Sequence, residues 1–166
     1  MRSRSALIGG ALLLVLGAGI SEAIEQKPLP LFRLLASDGA TVVSSNELPG
    51  GDQWLLVYVS PGCPSCDLLL EALRGWQNAS LIQHTILVVG APNTAAAQQY
   101  IQQMLPSDAS ALQWYEDVQA EAWTALQLKG TPVLVGVKKG TIQWAISGVL
   151  NDPGALESVV KTWAGQ

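Results

Sequence analysis

The chain has 166 residues, 49% of them hydrophobic and 13% charged, with 9 Lys and Arg against 13 Asp and Glu. That length and apolar content fit one globular domain and exclude a disordered chain. The net charge of -4 supplies no basic stripe for phosphate contacts, which argues against a nucleic-acid binder.

Arg2 and Arg4 open the chain, Ala6 to Ile20 runs without a charge, and Ser21-Glu22-Ala23 follows. This is the order of a secretory signal, with cleavage expected after Ala23. Residues 1–23 are therefore read as a signal peptide and 24–166 as the folded domain. The apolar stretch is shorter than the roughly 20 residues of a spanning helix. An uncleaved N-terminal membrane anchor is the alternative. Either way the domain is expected to face an extracytoplasmic compartment, the periplasm or its equivalent.

Glu25 to Pro30 reads as a proline-bearing lead-in. Leu31 to Leu35 and Thr41 to Val43 read as two short strands, with Asp38-Gly39 as a hairpin signal between them. After the break at Pro49-Gly50-Gly51-Asp52, Trp54 to Ser60 is a continuous apolar run, as in a strand buried on both faces. Pro61-Gly62 turns the chain. Leu68, Leu69, Leu70, Ala72, Leu73 and Trp76 then recur at helical spacing, so Pro64 to Trp76 is expected to be a helix. Pro64 stands in its first turn, where a missing N–H costs nothing.

Thr85 to Val89 is a second buried strand, followed by a helix over Thr94 to Met104 and a loop over Pro106 to Ser110. Leu112 to Tyr115 reads as a short strand and Val118 to Leu126 as a helix. Pro132 to Val137 and Thr141 to Ile146 read as an antiparallel pair joined at Lys138-Lys139-Gly140. Asp152 and Pro153 start a last helix whose apolar face carries Leu156, Val159, Val160 and Trp163. The order is a right-handed βαβ unit followed by ββα.

The chemistry concentrates at Cys63-Pro64-Ser65-Cys66, where a buried strand turns into a helix. Two cysteines three apart on a first helical turn can close a disulfide with little backbone movement. The first sulfur sits where free N–H groups and the helix dipole favour a thiolate. The second, one turn in, is placed to resolve a mixed disulfide. A plain stabilising disulfide is the alternative, but a loop this small constrains the unfolded chain little. A metal site would need His84 and further donors, and one histidine with two cysteines falls short of a four-ligand zinc set. His84 reads as a strand-edge residue. Trp54, Trp76 and Trp123 read as core packing, and Asp67 and Glu71 as solvated helix residues. Gly130-Thr131-Pro132, opening a strand, is the second constellation.

With Cys63, Cys66 and Pro132 in these positions the chain resembles the thioredoxin superfamily, in which a cis-proline before a β-hairpin faces a C-x-x-C motif at a helix start. Asp38-Gly39 and Trp114-Tyr115-Glu116-Asp117 are similar to the exported TlpA-like branch. Residues 59–66 and Gly148-Val149-Leu150-Asn151 are similar to its MauD-like members. The resemblance covers Leu31 to Gly165. It implies a thioredoxin-like α/β fold: a central mixed β-sheet flanked by helices, with an added N-terminal β-hairpin. The chain departs from the pattern in two places. Gly62 stands where a tryptophan usually precedes the first cysteine, and Trp54 to Ser60 holds no acidic residue. The proton acceptor for Cys66 is therefore left open, with Asp67 directly after it and Glu71 a turn on read as solvated helix residues rather than proton relays.

The resemblance implies an extracytoplasmic thiol–disulfide oxidoreductase. Cys63 attacks or is attacked, Cys66 resolves, and Pro64-Ser65 forms the motif between them. Thr131 and Pro132 bind the substrate segment. No metal, flavin or nucleotide cofactor is implied. Partners would be cysteine-containing exported proteins and a membrane electron-transfer partner. Two rivals are a thiol peroxidase, since Ser60 lies three residues before Cys63, and a non-catalytic binding module. Residues 1–25 fused to a reporter active only outside the cytoplasm should give signal; a silent reporter would refute export.

Overall fold

The computed structural model describes residues 26–75, 84–105, 112–148 and 153–164. The segment read as a signal, Trp76, the loop at 106–110 and the cap Asp152 lie outside the described residues. The first four strands are β1 (Lys27–Pro28), β2 (Arg33–Ala36), β3 (Val42–Ser44) and β4 (Gln53–Val59). Then come α1 (Pro64–Gly75), β5 (Thr85–Val89), α2 (Thr94–Met104) and β6 (Gln113–Glu116). The chain continues through α3 (Glu121–Ala125), β7 (Val133–Lys138), β8 (Thr141–Ser147) and α4 (Pro153–Ala164). No helix of the described residues is long and apolar enough to cross a membrane.

The strands form one mixed sheet in the order β1-β8-β7-β4-β5-β6-β2-β3. β4 lies in its interior, parallel to β5 and antiparallel to β7. Its uninterrupted apolar sequence follows from burial on both faces. Leu55, Val57 and Val59 pack with Leu87 and Val89 under α1, α2 and α4. Trp54, Leu56 and Tyr58 face the other way, toward Phe32, Leu34 and Ala122. Trp54 is buried and Trp123 half-buried on that second face, where Trp123 meets the Tyr58 ring at 5.7 Å. α4 docks through Trp163, whose ring meets Trp144 edge-on at 5.5 Å.

The N-terminal hairpin is attached at the sheet edge, β2 pairing with β6. Asp38 builds its turn. Its carboxylate accepts from the Thr41 hydroxyl and from the Thr41 and Ala40 amides, which hold its pKa down to about 2. Gly39 supplies the left-handed residue at φ +71.

Two expectations change. The proline-bearing lead-in contains a strand, because Lys27 and Pro28 pair with Ile142 and Thr141 at the end of β8. The helix expected over Val118 to Leu126 is shorter, spanning Glu121–Ala125. Asp117 is the reason. Its carboxylate accepts from the amides of Ala122 and Trp123 and from the Tyr58 hydroxyl. That anchors the helix start beyond the turn at Ala120, whose φ of 54 is left-handed.

Asp117 is 2% exposed and holds three donors that have no other partner in these contacts. Replacing it by alanine should cost about 2–4 kcal/mol, the sum of a lost cap and a buried hydroxyl left unpaired. Tyr58→Phe, which removes only one donor, should cost about 1 kcal/mol. Chemical denaturation of both variants checks the order; equal costs would refute the shared anchor.

Candidate active site

β4 ends at Val59, and the backbone turns through Ser60, Pro61 and Gly62 before α1 begins at Pro64. Gly62 takes φ +75 with open space where a side chain would be, so the turn can be this sharp without strain. The turn leaves Cys63 at the mouth of the helix and Cys66 one turn inside it.

The two are joined in a disulfide with a Cα–Cα distance of 5.2 Å. Cys63 is half-buried, whereas Cys66 is 0% exposed and belongs to the core beneath α1. The Cys66 amide donates to the Cys63 sulfur at 3.2 Å. The Cys66 and Asp67 amides also donate to the Cys63 carbonyl. The Cys66 amide thus faces the Cys63 sulfur at the positive end of the helix, where a developing thiolate is favoured.

β7 brings the second constellation alongside. Because β4 and β7 pair with Tyr58 opposite Val133, the segment before Val133 runs past the end of β4. The Thr131–Pro132 peptide bond is cis. The Thr131 carbonyl oxygen lies 3.5 Å from the Cys63 sulfur. Pro132 is buried, and Thr131 is half-buried at the rim. Sequence reasoning missed one member: the Ser60 hydroxyl meets the Thr131 hydroxyl at 3.0 Å, tying the two loops together. Its position three residues before Cys63 was visible, but its partner was not.

Pro64 is exposed and Ser65 half-buried between the cysteines. Asp67 is not simply solvated. It is half-buried and accepts from the Tyr100 hydroxyl at 2.9 Å. Burial, reinforced by that bond, pushes the Tyr100 pKa up. Glu71 is exposed. His84 is exposed at the start of β5, with Nδ1 3.5 Å from the Gly50 carbonyl, away from the motif. Lys139 is exposed in the β7–β8 turn. Glu116, at the end of β6, is 1% exposed, and neither carboxyl oxygen has a hydrogen-bond partner.

Neither a protein-family model nor a curated protein sequence matches the chain. Solved structures do. A thiol:disulfide interchange protein DsbE from Chlorobium tepidum superposes with a TM-score of 0.68 at 17% identity, covering 85% of this chain and 98% of that one. The fold is thioredoxin-like. A secreted Mycobacterium tuberculosis disulfide oxidoreductase homologous to E. coli DsbE gives 0.61 at 18% identity, over 79% and 95% of the two chains. A thio-disulfide isomerase from Thermus thermophilus gives 0.59 at 16% identity, over 84% and 95%. In the thioredoxin-like fold of this chain the strand-to-helix junction after β4 and the loop before β7 meet at one rim of the sheet, and the disulfide lies there.

The asymmetry of the two sulfurs carries a direct expectation. In the reduced protein at neutral pH, iodoacetamide should label Cys63 well before Cys66, as read by peptide mapping over time. Equal or reversed labelling would mean that the helix mouth does not control access.

Proposed function

We propose that the protein is an extracytoplasmic thiol–disulfide oxidoreductase of the TlpA-like kind, exchanging disulfides with cysteine-containing exported proteins. One observation carries this reading: a disulfide whose outer sulfur is reachable and lies against the Thr131 carbonyl, and whose inner sulfur is sealed in the core. Such an arrangement makes a poor staple and a good exchange site. Its structural neighbours, a thiol:disulfide interchange protein and a secreted disulfide oxidoreductase among them, support it.

In the oxidising direction a substrate thiolate attacks Cys63, forming a mixed disulfide and releasing Cys66 as the leaving sulfur. A second substrate thiol then attacks the substrate sulfur of that bond, and the Cys63 thiolate leaves. In the reducing direction the Cys63 thiolate attacks a substrate disulfide, and Cys66 attacks Cys63 to free the reduced substrate. The helix-mouth amides lower the cost of charge on Cys63 in both directions. The Thr131 backbone offers its carbonyl to an extended substrate segment, which adds as a strand beside the motif. Pro132 shapes the floor of that groove. A membrane electron-transfer partner would reset the pair after each turnover. The MauD-like features at residues 59–66 and 148–151 point to a disulfide-rich client within this reading.

Cys66→Ser removes the resolving sulfur and leaves Cys63 able to attack. Expressed in the native host, it should accumulate reductant-sensitive covalent complexes with exported proteins on non-reducing gels. Cys63→Ser should accumulate few. Complexes from neither variant would favour a structural disulfide or a binding module.

A further inference from the structure

Resolution by Cys66 needs a place for a proton. The attacking form is the thiolate, yet Cys66 is 0% exposed and does not face bulk solvent. The proton has to pass to a group inside the protein.

The sheet register shows which group is available. Val59, Val89 and Glu116 form one row, Val59 pairing with Val89 and Val89 with Glu116. With neighbouring strands about 4.8 Å apart, Glu116 starts two strands from the end of β4. Side chains in one row share a face. Val59 and Val89 pack in the same core cluster as Cys66, and Trp114, two residues before Glu116, packs against that cluster. Glu116 therefore points into the layer that holds Cys66, at the rim where α1 begins. Its neighbour Asp117 faces the opposite side, with three hydrogen bonds. Glu116 is 1% exposed, and both of its oxygens lack a partner.

Among the described residues, the other charged side chains near this layer are paired or exposed. On α1 Asp67 accepts from Tyr100 of α2, and Glu71 is exposed. On α4 Glu157 pairs with Lys161. On β2 Arg33 pairs with Glu121. β5 contributes only apolar side chains and Thr85.

We propose that the Glu116 carboxyl is the internal proton partner of Cys66, which rests on the redox reading above. In resolution, Cys66–SH and the Glu116 carboxylate react with the Cys63–substrate mixed disulfide. The Cys63–Cys66 bond forms, the substrate thiolate leaves with the electron pair of the broken bond, and the proton ends on Glu116. In the reverse direction the protonated Glu116 carboxyl returns that proton to the Cys66 sulfur. An unpaired buried carboxyl destabilises the fold, and this use offsets that cost.

The test uses the reduced full domain and a nitrothiobenzoate disulfide as the probe. Cys63 releases one nitrothiobenzoate on attack, and Cys66 releases the second on resolution, so the two steps are read separately. Glu116→Gln and Glu116→Leu should slow the second release about tenfold or more near neutral pH. The deficit should shrink as the pH rises toward the ordinary thiol range, while the first release stays unchanged. Glu116→Asp should restore part of the rate. Glu116→Leu should also raise the denaturation midpoint, which loss of a purely structural residue would not do. The wild-type protein supplies a measurement free of substitution: the carboxyl 13C chemical shift of Glu116 at one fixed, neutral pH should differ between disulfide and dithiol forms. Wild-type resolution in both variants, an unchanged 13C chemical shift, or the rate loss appearing in Asp67→Asn instead would overturn the assignment. If Cys63 releases no nitrothiobenzoate at all, the redox reading itself fails.

Discussion

The pairing of β4 with β7 is the constraint on which the site depends. Tyr58 lies opposite Val133, so the residues just beyond each strand meet at the same rim. A slip of one residue would turn Thr131 away from Cys63 and would also rotate every side chain of β7 to the wrong face. The core forbids that slip, because Val133, Val135 and Val137 fill one layer and Leu134 the other. The position of a carbonyl 3.5 Å from a reactive sulfur is thus held by packing in a sheet whose strands carry no chemistry themselves.

The same pleat divides the labour of two adjacent acids. Asp117 falls on the α3 face, where it meets the Tyr58 hydroxyl and two helix amides. Glu116 falls on the α1 face, among apolar side chains, with nothing to accept from. Their chemistry is nearly identical and their surroundings are opposite. One residue stabilises the fold, and the other is tolerated by it. Close approach reinforces the arrangement: a Cβ on Gly90 would stand 2.4 Å from the Tyr58 hydroxyl oxygen, so the residue after β5 must stay small for that hydroxyl to reach Asp117.

Much of this was legible in the sequence because it rests on local rules. β5 and the α2 helix fall on the residues that their apolar and helical patterns mark, Thr85–Val89 and Thr94–Met104. The motif cysteines, with proline in the first turn, announce their own helix. What was not legible depends on partners distant in the chain. The Val118–Leu126 pattern looked helical throughout, but a carboxylate at Asp117 reaching the amides of Ala122 and Trp123 moved the start. β1 is two residues long and carries no pattern of its own; β8 makes it a strand. Ser60 and Thr131 are 71 residues apart, and only the β4–β7 register brings their hydroxyls together. The burial of Glu116 was hidden for a related reason. A glutamate beside an aspartate reads as a polar strand end until the N-terminal hairpin covers that edge of the sheet, placing Leu35 opposite it.

That hairpin gives the domain's N-terminal part a role in the chemistry of its middle. Without β2, β6 would be the sheet edge and the Glu116 backbone would face solvent. With β2 in place, β6 is paired on both sides and the carboxyl is sealed. Exchange at Cys63 needs access, whereas Cys66 is buried only one helical turn away. The structure separates them by depth. The outer sulfur lies at a rim formed by two loops, and the inner sulfur lies under helices in a layer closed at its far edge by the hairpin. An edge strand that would otherwise invite aggregation is thereby converted into part of the wall that closes off the layer holding the inner sulfur and the Glu116 carboxyl.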